Sequence, residues 1–500
     1  MVAKTHKFNE YAALLLSKGL AVEINASYDE LERIVGHISF DSNDIEENTL
    51  FICKGEHFSE KYLKDALSKG AFAYVSEKKY QLSGMNSPYA IVGRIRRAMA
   101  EISGFYYGGA WDHLNIAGIT GTKGKSTTVY FVKCALDHYL SSLGKHRSAY
   151  VSSIDTYDGV VEEESRLTTP EIMTLHKHFD NAVNSGIEYL TMEVSSQALK
   201  YERVLGVLFD VACFLNIGED HISSIEHVDF EDYFSSKLSI FDQCKSACVN
   251  MDSDSADRIL NQARLRSPKV ATFGLTERAD VHGYDVKASE SGIAFRAKCS
   301  SFDSEFKISM NGLFNVQNAL AAIAVCCELG VPAKHIRAGL ENAKVSGRME
   351  VFKGRGLTVI VDYAHNKMSF EALFASVRQE FPGKRISIVF GCPGGKAQGR
   401  RRELGETAGS CADRVFVTEE DPGEEPLAAI SEEIAGHVRK AGCACEIIAD
   451  RGDAIKAAID TASEGSVVLV TGKGRETRQK RGIVYVPVPS DADYVEECLK

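Results

Sequence analysis

Gly118-Ile119-Thr120-Gly121-Thr122-Lys123-Gly124-Lys125-Ser126-Thr127-Thr128 stands where a predicted strand, residues 116–120, gives way to a helix. Its glycines let the backbone turn tightly, so that successive N–H groups can face phosphate oxygens at a helix N-terminus. Lys125 can reach the β- and γ-phosphates, and Ser126 can ligate Mg²⁺. Five residues separate Gly118 from Gly124, one more than the strict phosphate-loop pattern has. The alternative is a glycine-rich turn without a ligand. Strand, Gly-Lys-Ser and helix occur together, so the stretch reads as a nucleotide site.

Working outward, residues 190–194 and 211–217 join 116–120 as short aliphatic runs ended by polar residues or Gly. They read as buried parallel strands. Residues 357–361, 386–390, 415–418 and 467–470 form a second such cluster. Helical segments lie between the runs, as in βαβ units. The fold class is therefore α/β. Both clusters are expected to be doubly wound sheets with ligands at the carboxyl ends of the strands. A third unit with weaker strands, residues 50–53 and 72–75, precedes the join Tyr107-Gly108-Gly109-Ala110. The expected domains are 1–109, 110–346 and 347–500, the second boundary falling near Ser346-Gly347-Arg348.

The 500 residues are too many for one core. A net charge of −11 argues against general nucleic-acid binding, so anionic ligands must be held by local basic groups. No run is long enough to cross a membrane. The thirteen cysteines are scattered without Cys-x-x-Cys spacing, which reads as buried thiols in a reducing cytosol.

Chemistry is expected just after the strands. Glu193 ends Leu190-Thr191-Met192-Glu193, and Asp220-His221 follows the next strand. Taken singly, Glu193 could cap a helix and His221 could be a structural imidazole. Two such groups at adjacent strand ends favour a magnesium site, since that hard cation takes oxygen ligands and keeps waters. Phe230, Tyr233, Phe234, Leu238 and Phe241 share one face of a helix, and Lys237 falls on the same inward stripe. A lone buried ammonium is costly, so Lys237 must snorkel, pair with an acid or be modified. A desolvated lysine has a lowered pKa, and its neutral amine can take up CO₂ as a carbamate that helps hold Mg²⁺.

With these residues in place the chain resembles the Mur ligases of bacterial cell-wall synthesis. The closest type is MurE, which adds the third amino acid to UDP-N-acetylmuramoyl-L-alanyl-D-glutamate. The resemblance rests on the phosphate loop, Leu167-Thr168-Thr169-Pro170-Glu171, Glu193-Val194-Ser195-Ser196, Tyr233-Phe234-Ser235-Ser236-Lys237 and Gly312-Leu313-Phe314-Asn315-Val316-Gln317-Asn318. Gly347-Arg348-Met349-Glu350, Val361-Asp362-Tyr363-Ala364-His365 and Gly472-Lys473-Gly474 complete it. It implies an N-terminal UDP-binding domain, a central ATPase and a Rossmann-like C-terminal domain for the incoming amino acid.

The resemblance also implies roles. ATP falls to Gly121, Thr122, Lys123, Gly124, Lys125, Ser126, Thr127, Asn315, Arg348 and Asp362. The UDP-linked substrate falls to Ser42, Thr168, Thr169, Ser195 and Arg203, and the amino acid to Arg401, Glu420, Asp421, Gly472 and Glu476. Lys125, Glu193, His221 and Lys237 are the expected catalytic set. Mg²⁺ is expected on Ser126, Glu193, His221 and carbamylated Lys237. Members that add meso-diaminopimelate carry Asp-Asn-Pro-Arg where this chain has Glu420-Asp421-Pro422-Gly423. Without that guanidinium fork a distal carboxylate loses its bidentate partner, and the acids Glu419, Glu420 and Asp421 should attract a distal ammonium instead. Gln197, Gly391-Cys392-Pro393-Gly394-Gly395-Lys396 and Ile225-Glu226-His227 resemble the streptococcal-type branch of the family, which adds L-lysine, and the resemblance therefore implies L-lysine or another diamino acid. On its own the acidic run would read as a solvated loop, and Arg400-Arg401-Arg402 as a surface basic cluster.

The expected activity is an ATP-dependent ligase working through an acyl phosphate, cytoplasmic and monomeric, with neither nucleic acid nor membrane as partner. Three rivals predict other things. A folate-polyglutamate-type ligase would not need the N-terminal unit or Thr168-Thr169-Pro170. A P-loop switch would leave the Lys237 segment unexplained, and a scaffold would lack Glu193, His221 and Lys237.

Overall fold

In this computed structural model residues 6–55, 58–82, 86–220, 222, 226–289 and 292–500 are described. The chain divides into two compact units. The first comprises Met1–Gly118, Gly144–Ala212 and Ser239–Lys245; the second comprises Ile119–Leu143, Cys213–Leu238 and Ser246–Lys500.

In the first unit five strands lie in the order Ala21–Asn25, Tyr89–Val92, Ala71–Ser76, Thr49–Ile52, His37–Ser39. All pairs are parallel except the first. Every residue of Ala71–Ser76 is buried, because both sheet faces are covered. Phe8, Tyr11 and Leu15 from helix Phe8–Ser17 pack on one face with Ala98, Met99 and Ile102 from helix Ile95–Tyr106. Leu63 and Ala66 of helix Glu60–Lys69 cover Phe51 and Tyr74 on the other. The same unit holds Tyr189–Glu193, which runs parallel to Ala149–Val151.

The second unit begins with the phosphate loop and helix Lys125–Ser142. Cys244–Asn250 pairs in parallel with Lys269–Gly274, which pairs in parallel with Val281–Ser289, and the sheet then continues through the antiparallel strands Gly292–Lys298 and Asp303–Ile308. The parallel expectation thus holds for the inner strands and gives way to hairpins at the edge, where connections are too short for crossover helices. The strand expected to reach residue 217 ends at Phe214.

The rest of the second unit is a six-stranded sheet, ordered Glu350–Gly354, Leu357–Asp362, Val467–Thr471, Ile386–Phe390, Arg414–Val417, Ala444–Ile447. Only the Glu350–Gly354 edge is antiparallel. Lys367–Glu380, Gly399–Cys411 and Leu427–Lys440 cover one face, while Arg451–Asp460 and Asp491–Leu499 cover the other. The last strand in sequence inserts between the two that begin this sheet's parallel part. That is a topological switch point, and the loops after Asp362, Thr471 and Phe390 open there. No described helix is long and apolar enough to cross a membrane.

Candidate active site

Gly124 adopts φ +84°, and a Cβ there would come within 2.2 Å of Asn318 Oδ1, so only glycine suits this turn. Asn216 fixes the loop from the side. Its Oδ1 accepts from Lys123 N at 2.9 Å, its Nδ2 donates to Lys123 O at 3.1 Å, and its own carbonyl accepts from Thr122 N at 3.0 Å. Thr122 Oγ1 also meets the Tyr233 hydroxyl at 3.0 Å and accepts from Gly218 N at 3.1 Å.

Three ammoniums gather on this loop. Lys125 Nζ donates to Gly121 O at 2.9 Å, and Lys237 Nζ donates to the same carbonyl at 3.0 Å. Lys123 Nζ lies 3.2 Å from His365 Nε2 and 3.5 Å from the Asp220 carboxylate. Lys237 is 2% exposed, and its ammonium lies 4.7 Å from the Tyr233 ring centroid. Burial, reinforced by the Lys125 charge, pushes Lys237 well below the usual lysine range. Burial also brings Lys123 down to about 8, against the opposing pull of Asp220. Ser126 and Thr127 are buried in the first turn of the helix. Backbone N–H groups at a helix start, the Lys123 and Lys125 side chains and a hydroxyl are a donor set suited to a polyphosphate with its divalent ion.

At the switch point the buried Asp362 carboxylate accepts from Met349 N at 2.9 Å and Ala364 N at 2.8 Å; burial raises its pKa and Arg348 opposes the shift. Arg348 stacks 4.2 Å above the Tyr363 ring. Asn315 opens helix Asn315–Glu328, its Nδ2 on Asn311 O at 2.7 Å and its Oδ1 accepting from Asn318 at 2.9 Å.

The acids expected to act together have different fates. Glu419 pairs with Arg481, and Asp421 accepts from Lys473 Nζ at 3.0 Å and Lys480 N at 2.8 Å. Lys473 also reaches Glu476 at 2.6 Å, and Glu476 accepts from the Tyr363 hydroxyl at 2.5 Å. Glu420 is different: among the described residues none hydrogen-bonds its carboxyl. It is buried against Gly472, where a Cβ would come 2.2 Å from Oε2. Burial raises its pKa to about 7, although Arg451, Lys473 and Arg400 pull the other way.

Arg401 is neither the surface residue of the bland reading nor an open fork. It is 3% exposed, and its terminal nitrogens close on Glu425 at 2.7 and 2.8 Å and on Glu433 at 2.9 Å. Helix Gly399–Cys411 turns this side chain toward Glu433 of Leu427–Lys440 and toward Glu425, so an incoming α-carboxylate would share the guanidinium with these acids. Sequence reasoning missed Asn216, Asn366 and Arg400. Asn216 follows a strand end, the one signal that could have marked it.

In the first unit Thr169 Oγ1 donates to Glu193 O at 2.9 Å and accepts from Ser195 N at 3.0 Å. Glu193 Oε1 accepts from Ser153 N at 2.7 Å. Arg203 donates to Thr169 O at 3.2 Å and pairs with Glu171 at 3.0 Å, which Lys54 also reaches at 2.8 Å. Thr169, Ser195, Glu193 and Arg203 are thus brought together. Thr168 is half-buried beside them in sequence, and Ser42 is buried with its carbonyl on Lys69 Nζ at 2.8 Å. His221 lies outside the described residues.

Doubly wound sheets with a lysine-rich phosphate loop define a phosphate-loop α/β protein. Residues 119–326 match the Mur ligase middle domain and residues 347–474 the Mur ligase glutamate ligase domain. The UDP-N-acetylmuramyl-tripeptide synthetase of Ligilactobacillus salivarius is 34% identical over 93% of this chain and 94% of its own length. The UDP-N-acetylmuramoyl-L-alanyl-D-glutamate–L-lysine ligase of Streptococcus mutans is 37% identical over 90% of each. A solved UDP-N-acetylmuramoyl-L-alanyl-D-glutamate–2,6-diaminopimelate ligase shares the fold with a TM-score of 0.66, covering 99% of both chains at 24% identity. The chain belongs to the Mur ligase family.

Proposed function

We propose that this protein is an ATP-dependent ligase that joins L-lysine to the D-glutamyl carboxylate of UDP-N-acetylmuramoyl-L-alanyl-D-glutamate in peptidoglycan precursor synthesis. The observation that carries the amine choice is the buried Glu420 carboxyl, left for an ammonium while Gly423 stands where a carboxylate-binding arginine would be. Named relatives that add lysine, and others named tripeptide synthetase, support the same reading. The three segments 1–109, 110–346 and 347–500 would then serve the UDP group, ATP and the amino acid.

A carboxylate is a poor electrophile. The D-glutamyl oxygen therefore attacks the γ-phosphorus, the bond to the β-phosphate oxygen breaks, and ADP and an acyl phosphate result. Lys125 and Lys123 hold the charge on the transferring group. The lysine amine next attacks the acyl carbon, loses a proton, and orthophosphate leaves as the amide forms. Water must be kept out, because it would hydrolyse the acyl phosphate. Magnesium, when bound, would neutralise phosphate charge; Ser126 and a carbamate on Lys237 would help hold it. The buried amine of Lys237 is suited to the second part, since Lys-NH₂ and CO₂ give a carbamate anion and a proton. The test is phosphate release with ATP, Mg²⁺ and UDP-muramoyl dipeptide against a panel of amino acids. L-Lysine should be preferred; meso-diaminopimelate as the best substrate would overturn the reading of the pocket. Label in the D-glutamyl oxygens must also appear in the orthophosphate.

A further inference from the structure

Asp220 lies in the second unit and is buried, and two side chains from far along the chain hold its carboxylate. Arg400 Nη2 donates to Oδ1 at 2.7 Å, and Asn366 Nδ2 donates to Oδ2 at 2.6 Å. Both donors come from chain 146 to 180 residues downstream. Asn366 is itself fixed, because its Oδ1 caps helix Lys367–Glu380 by accepting from Ser369 N at 3.1 Å. The same segments interlock next door: a Cβ on Gly218 would sit 2.0 Å from Met368 Cε.

From Asp220 the connection runs in two directions. Its Oδ2 lies 3.5 Å from Lys123 Nζ in the phosphate loop, and that ammonium also meets His365 Nε2 at 3.2 Å. Burial holds His365 well below the usual histidine range. With Nδ1–H donating to Tyr363 O at 2.7 Å, its neutral ring leaves Nε2 to accept from Lys123. In the other direction, the Arg400 charge acts on Glu420 as well as on Asp220. One guanidinium therefore stands between the carboxylate beside the phosphate loop and the carboxyl of the acid pocket.

We infer that Arg400 and Asn366 form a two-pronged latch on Asp220, through which docking of residues 365–400 sets Lys123 for phosphoryl transfer. The inference rests on the ligase reading above. Arg400 is a positioning residue: its guanidinium hydrogen-bonds Asp220, and it acts on the phosphate loop through that carboxylate. A structural ion pair would serve stability alone. A latch makes turnover depend on the charge at residue 400 while substrate affinities stay put.

The experiment uses the full chain and measures phosphate release at saturation in each substrate, with ADP binding by calorimetry as the check on folding. Arg400→Gln should lower kcat about 30-fold, within the cost of a small misplacement at a reacting centre, while KM for ATP and for UDP-muramoyl dipeptide changes less than about threefold. Arg400→Lys should recover most of the loss. Asp220→Asn should match Arg400→Gln, and the double variant should be no worse than either single, since both cut one connection. Wild-type kcat in Arg400→Gln, or losses that multiply in the double variant, would overturn the latch. If Arg400→Gln fails to bind ADP, Asn366→Ala cuts the other prong and carries the same cycle with Asp220→Asn. Wild-type turnover separates the two claims: its absence strikes the ligase reading, and its presence beside an unaffected Arg400→Gln strikes the latch alone.

Discussion

The phosphate loop and the acid pocket are built on opposite plans. At the loop, Lys125 and Lys237 share one backbone carbonyl, and a surplus of cations stands where an anion would sit. In the pocket, Glu419 and Asp421 are already paired with Arg481 and Lys473, and only Glu420 keeps a carboxyl without a hydrogen-bonding partner among the described residues. The loop draws its backbone N–H groups from a few consecutive residues, a plan suited to polyphosphates in general, and adds Lys237 and Asn216 from later in the chain. The pocket draws on loops after three separate strands, and in the proposed function its choice of amine would rest on one group. On that reading specificity would be concentrated where neutralisation is incomplete.

This contrast can be broken by experiment. The largest effect is expected at the loop, where Lys125→Met should lower kcat about a thousandfold with ADP binding retained, measured by phosphate release. Lys237→Ala follows, at about a hundredfold, and short carboxylic acids should restore part of the rate; full activity without them would remove Lys237 from the chemistry. In the pocket Glu420→Gln should raise KM for lysine about 30-fold and leave KM for ATP alone. An equal rise in both would mean that the two regions are not separate.

A pH titration sharpens the same point. Glu420 stands at about 7 against its ordinary 4.5, so it binds a proton more tightly folded than unfolded. In the ligand-free protein this group therefore costs stability as pH rises from 4.5 through 7, and Glu420→Gln should flatten that slope in melting curves. Only the ionised form attracts an ammonium. KM for lysine should accordingly rise by up to about tenfold per unit as pH falls below 7, with the ATP term unaffected. The smallest change is expected for Gly472→Ala. Its Cβ would press on Glu420 Oε2 at 2.2 Å, and a rise of about fivefold in KM for lysine would be within the cost of a local shift.

Much of this was legible in the amino-acid order. Residues 116–120, 357–361, 386–390 and 467–470 read as strands in the sequence, and are strands, because full burial leaves continuous aliphatic runs. Lys237 was placed inward by the spacing of its aromatic neighbours, and it is buried. Arg401 shows the limit. Three consecutive arginines look alike in sequence, yet on helix Gly399–Cys411 Arg401 turns to Glu425 while Arg400 turns to Asp220. Helical rotation of about 100° per residue separates them, and the packing partners lie far along the chain.

The order of residues alone determined what local rules can carry: the α/β class, the strand ends where polar groups gather, and the phosphate loop, whose geometry needs a few neighbouring residues. Only the tertiary structure decided which of three acids is left without a hydrogen-bonding partner among the described residues and which arginine holds Asp220. Those outcomes depend on burial and on ion pairs between residues far apart in sequence, and neither quantity exists until the chain has folded.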